Sequence, residues 1–79
     1  MNKTELIDRL MELAAKRFDK DAEALDPQGD FFELLGIDSF QAMELLTDLE
    51  EAFDVEIPDY ELQGVNTFLG LAEIIERRL

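Results

Sequence analysis

The sequence predicts an all-α fold: a small bundle of three main helices plus one short helix, formed by a single domain over residues 1–79. Three observations predict it. Apolar residues recur at helical spacing in three separate stretches. Each stretch opens on a helix-capping residue: Asn2, then Asp38, then Asn66 or Thr67. No stretch reads as a paired strand.

The first helix is expected over Lys3–Phe18, with Leu6, Leu10, Leu13, Ala14 and Phe18 on one stripe. Asn2 and Glu5 have the spacing of a capping box. Glu5 and Arg9 have that of a favourable i,i+4 ion pair. Residues 19–30 form a polar connection containing the turn sequence Asp26-Pro27-Gln28-Gly29. Leu25, Phe31, Phe32 and Leu34-Leu35 should anchor it. Its aspartates lack the ligand spacing of an EF-hand.

The second helix is expected over Ser39–Phe53, capped by Asp38. Ala42, Leu45, Leu46, Leu49 and Phe53 follow its core stripe. Phe40, Met43 and Thr47 follow an adjoining, less buried stripe, flanked by Glu44, Asp48, Glu50 and Glu51. Val55-Glu56-Ile57-Pro58 is an extended link, and Pro58 is placed to start a brief helical turn over 59–63, ended by Gly64. The last helix carries Phe68, Leu71, Ala72, Ile75 and Leu79 on one side. Arg77 and Arg78 suit the negative end of its dipole.

Composition narrows the function. Hydrophobic residues make up 47% of the 79 residues, enough for one thin core and too many for a disordered chain. The net charge is −13, unevenly spread. The bases are Lys3, Arg9, Lys16, Arg17, Lys20, Arg77 and Arg78, so residues 21–76 hold sixteen acids and no base. Such a surface disfavours nucleic acid and anionic membranes, and favours basic protein partners. No apolar run approaches the roughly 20 residues that span a bilayer, and Met1-Asn2-Lys3-Thr4-Glu5 does not begin a signal peptide. A cytoplasmic monomer without stable membrane insertion is expected. Without cysteine or histidine there is no disulfide, thiolate chemistry or Cys/His zinc site. No specific metal site is expected; divalent cations along the acidic face would bind weakly.

The residue of most interest is Ser39, on the first turn of the second helix. Nucleophilic catalysis would need a base beside it, and histidine is absent. Taken alone, Asp38-Ser39 is an ordinary helix start. An anionic group attached there would nevertheless meet backbone N–H groups and the positive end of the dipole.

The wider string is more specific. Asp30-Phe31-Phe32-Glu33-Leu34-Leu35-Gly36-Ile37-Asp38-Ser39-Phe40, then Glu44-Leu45, Leu49-Glu50-Glu51-Ala52-Phe53 and Ile57-Pro58-Asp59, resembles the acyl carrier protein family. The resemblance spans residues 30–59. It implies that Ser39 carries covalent 4′-phosphopantetheine, supported by the Asp38 cap, and that the thiol of the arm holds acyl groups as thioesters. It implies a stand-alone carrier that is not itself an enzyme. The partners would be a phosphopantetheinyl transferase and then an acyl-ACP synthetase, ketosynthase or acyltransferase with basic docking patches. Phe40, Met43 and Thr47 would form the apolar centre of the docking surface, and Glu44, Asp48, Glu50 and Glu51 its acidic rim. Leu45, Leu46, Phe53, Ile57, Ala72 and Ile75 would line an acyl pocket.

Several positions depart from the common family pattern. Phe40 stands where leucine is usual, Gln41 where an acid is frequent, and Thr47 where a larger apolar residue is usual. Gly64 and Asn66 are expected to loosen the approach to the last helix. The resemblance as a whole implies a carrier for fatty-acid, polyketide-like or dedicated acyl-transfer enzymes. These departures point away from the housekeeping carrier of fatty acid synthesis, toward a specialised one serving a dedicated acyltransferase or a polyketide-like pathway. The alternatives are a D-alanyl or other aminoacyl carrier, and an acidic helical adaptor without a prosthetic group.

The unbalanced acids should repel one another. Millimolar Mg²⁺ or moderate salt should raise the melting temperature; a melting curve indifferent to both would contradict that expectation.

Overall fold

Asn2 starts the first helix, its Oδ1 accepting the Glu5 N–H at 2.8 Å. From there α1 runs over Lys3–Phe18 in the computed structural model, which describes residues 2–79. Arg9 pairs with Glu12 at 3.5 Å instead of with Glu5, since i,i+3 neighbours share a helix face as i,i+4 neighbours do. A short α2 (Phe31–Leu35), α3 (Ser39–Phe53) and α4 (Phe68–Arg78) follow. The result is a bundle of three long helices and one short one.

The short elements differ in detail from the expectation. The turn expected after Pro58 is a 3₁₀ turn, Asp59–Leu62, and a second 3₁₀ turn spans Ala22–Ala24. The short α-helix is α2, built from residues expected only to anchor the connection. Five residues are too few to show a helical period. Asp30 makes the helix, its Oδ1 accepting the Phe32 N–H at 2.9 Å.

Burial drives the assembly. Leu6 and Leu10 of α1, Leu45 and Leu49 of α3, and Phe68 and Ile75 of α4 are fully buried. Phe31 brings α2 into this core, its ring 5.5 Å from that of Phe68. Helix α1 packs against both α3 and α4, while the backbones of α3 and α4 approach each other less closely. That unequal packing leaves room between α3 and α4.

Some stripe residues are less buried than the rest. Leu13, Phe18 and Phe53 are half-buried, and Leu79 is exposed. Phe53 is the last residue of α3, and at Asp54 the chain turns away through a left-handed conformation, φ 54°.

Polar links tie the connections down. The Leu69 N–H donates to the Pro27 carbonyl at 3.0 Å, and the Phe31 N–H to the Asn66 carbonyl at 2.8 Å. The Asn66 side chain adds a bond to Asp30 Oδ2 at 3.4 Å. Asn66 therefore fastens the approach to α4, contrary to the loosening expected. Gly64 does adopt a left-handed φ of 76°. No described helix is long and apolar enough to cross a membrane.

Truncating Phe68 to Ala should cost roughly 3–5 kcal/mol, and the half-buried Phe53 only about 1–2 kcal/mol. Urea unfolding of both variants checks this; equal losses would contradict the burial described.

Candidate functional site

Three consecutive residues deliver the chain to the site. Gly36 closes α2 in a left-handed conformation, φ 67°, that other residues adopt at a cost. Ile37 is buried, and its N–H donates to the Phe32 carbonyl at 3.0 Å. Asp38 is extended and caps α3, its Oδ1 accepting the Gln41 N–H at 2.9 Å. Gln41 answers through Oε1, which accepts the Asp38 N–H at 3.1 Å. This reciprocal capping box explains Gln41, which the sequence reading treated only as a missing acid.

Ser39 is the first residue of α3 and is exposed. It also lines a cavity of about 170 Å³. The other walls are Phe31 and Phe32 of α2, Ala42, Met43, Leu45, Leu46 and Leu49 of α3, Leu62 and Val65 of the connection, and Leu71 of α4. Every one of those side chains is apolar. An exposed polar residue in an apolar lining marks where the cavity meets solvent.

The residues proposed for an acyl pocket divide. Leu45 and Leu46 line this cavity. Phe53 does not, being at the far end of α3. Ile57 borders a separate acidic groove beside Glu50, Glu51 and Asp54. Ala72 and Ile75 are fully buried in the core. Phe31, Phe32, Leu62 and Val65 had been given no role in the pocket. The Phe31-Phe32 pair directly behind Asp30 is the one signal in the sequence that could have marked them.

The outer face of α3 carries the residues expected to dock partners. Phe40 is 72% exposed and Met43 48%, high values for large apolar side chains. Thr47 is exposed, and its hydroxyl donates to the Met43 carbonyl at 3.1 Å. The four rim acids are not equivalent. Asp48 pairs with Arg17 of α1 at 2.7 Å. Glu50 Oε2 accepts the Ile57 N–H at 2.8 Å and so holds the extended link. Glu44 and Glu51 have no ion-pair partner among the described residues. On the last turn of α4, Arg78 is held above its ordinary pKa range by its hydrogen bond to Glu61, against a smaller effect of desolvation.

A family model described as a phosphopantetheine attachment site matches residues 8–75. The chain belongs to the acyl carrier protein family. An acyl carrier protein of Thermosynechococcus vestitus is 33% identical over 79 residues, covering all of this chain and 98% of that relative. One of Rubrobacter xylanophilus is 37% identical over 67 residues, covering 85% of this chain and 83% of the relative. As a member of the acyl carrier protein family the chain is a carrier and not an enzyme, and its prosthetic group is 4′-phosphopantetheine.

The residues at the start of α3 fit that group. Ser39 offers an exposed primary hydroxyl for an ester bond. The first N–H groups and the dipole of a 15-residue helix favour a phosphodiester there. The apolar cavity opens beside it.

Asp38→Ala should cost about 1 kcal/mol and speed amide exchange in the first turn of α3, with Asp38→Asn retaining most of the stability. Unfolding and hydrogen-exchange measurements check this; an Ala variant as stable as wild type would contradict the role of the cap.

Proposed function

We propose that Ser39 is the residue that carries phosphopantetheine, and that the cavity beside it shelters the apolar part of an attached acyl chain. The observation that carries this reading is the position of Ser39, exposed yet part of the lining of an apolar cavity. When bound, the group supplies a thiol that holds the acyl cargo as a thioester.

The remaining work falls to the chain itself. Asp38 and Gln41 fix the first turn of α3, so the Ser39 hydroxyl is presented in one place. We assign the base that takes its proton to the transferase, since the chain has no histidine and the neighbouring Asp38 carboxylate is engaged in the cap. Leu46, Leu62 and Val65 exclude water from a chain that enters the cavity. Its apolar walls favour an acyl cargo over an aminoacyl one, whose ammonium group would be desolvated without a partner.

Membership of the family brings a phosphopantetheinyl transferase and acyl-handling enzymes as partners. We assign their docking to the outer face of α3. Phe40 and Met43 supply the apolar grip, while Glu44 and Glu51 steer a basic patch. Asp48 and Glu50 contribute less, each being engaged within the bundle. The absence of cysteine accords with a cytoplasmic setting.

Incubation with coenzyme A and a broad-specificity phosphopantetheinyl transferase, followed by intact mass analysis, tests the attachment. Wild type should gain one phosphopantetheine and Ser39→Ala none. No gain on wild type, or an equal gain on the variant, would overturn the assignment.

A further inference from the structure

Residues 58–65 form a strap along one side of the cavity, to which Leu62 and Val65 contribute walls. Both ends of the strap are held. Just before it, Ile57 is buried and its N–H donates to Glu50 Oε2 at 2.8 Å. Just after it, the Asn66 carbonyl accepts the Phe31 N–H at 2.8 Å. Between those points the backbone bonds stay inside the strap: Glu61 N–H to the Pro58 carbonyl at 3.1 Å, and Val65 N–H to the Leu62 carbonyl at 3.0 Å. Its 3₁₀ turn has no side-chain cap, and Gly64 has a left-handed φ of 76° with open space around it.

Among the described residues, Arg78 joins the strap to the rest of the molecule, chiefly through Glu61 and to a lesser degree through Tyr60. Arg78 donates from Nε at 2.8 Å and from a terminal nitrogen at 2.6 Å, both to Glu61 Oε2. Arg78 sits on the last turn of α4, whose Ile74 and Ile75 are buried in the core. The turn that precedes Arg78 is thus anchored in the core, whereas the backbone bonds of the strap are local. Glu61 is the neighbour of Leu62, so the position of the ion pair sets the position of a cavity wall.

We propose that Glu61 and Arg78 latch this strap, and thereby determine how readily the cavity admits an apolar chain. That an acyl chain is the natural occupant rests on the Ser39 reading above; the latch is a property of the chain itself. A partly exposed ion pair is a weak restraint, and weakness suits the task. The strap can release while both its ends and the bundle stay in place.

The test uses the unloaded full chain with Glu61→Gln, Arg78→Gln and the double variant, and Glu73→Gln as an exposed control on α4. The readouts are amide exchange and binding of N-phenyl-1-naphthylamine, a neutral apolar dye. Each single variant should show about three- to fivefold faster exchange at Glu61 and Val65 and tighter dye binding, with Leu10 and Leu49 unchanged. The double variant should go no further than Arg78→Gln, because that change alone removes both the Glu61 and the Tyr60 contacts. Wild-type behaviour in either single variant, additive effects, or equally faster exchange at Leu10 and Leu49 would overturn the latch. A non-additive cycle in a chain that takes no phosphopantetheine would uphold the latch and remove only its cargo. A normal mass gain with no cycle would remove the latch alone.

Discussion

The reciprocal bonds between Asp38 and Gln41 are the constraint on which the site depends. A helix start is a weak place in a fold, with four N–H groups lacking partners inside the helix. Here Ser39, the residue proposed for attachment, lies on that weak turn. The capping box removes the freedom of the turn without covering Ser39. Gly36 and the buried Ile37 fix the approach from the other side. The backbone of Ser39 is held from both directions while the residue stays open to solvent, which suits the proposed attachment.

The charge pattern sacrifices stability in the same helix. No base stands in the last turn of α3, and Glu50, Glu51 and Asp54 gather there, where the dipole disfavours anions. The bundle meets part of that cost by using two of the acids internally. Arg17 reaches across from α1 to Asp48, and Glu50 secures the link at Ile57. Glu44 and Glu51 have no ion-pair partner among the described residues, which suits the docking role proposed for them. The acidic face thus divides into acids engaged in the fold and acids left free of ion pairs among the described residues, a division that a count of charges does not show.

Long elements were legible in the sequence because they repeat a pattern. Lys3–Phe18 and Ser39–Phe53 have the bounds expected from their apolar spacing and their caps. Ser39 stood out through its surrounding motif. The cavity was only half legible. Ala42, Leu45, Leu46 and Leu49 lie on the core stripe of α3 and Leu71 on that of α4, but Phe31, Phe32, Leu62 and Val65 come from α2 and from residues 58–65. Those elements are too short for a period, and tertiary bonds that link Asn66 to Asp30 and Phe31, and Arg78 to Glu61, shape them. Phe53 shows the complementary limit: a stripe gives a direction around the helix and not the depth at which the helix end sits.

Nuclear Overhauser contacts in the octanoyl-loaded carrier, with the acyl chain labelled with carbon-13, test the central claim most directly. The account predicts contacts from the acyl methylenes to the methyl groups of Leu46, Leu62 and Val65, all of which line the cavity beside Ser39. An acyl chain in contact only with solvent, or only with the exposed Phe40 on the outer face of α3, would contradict it.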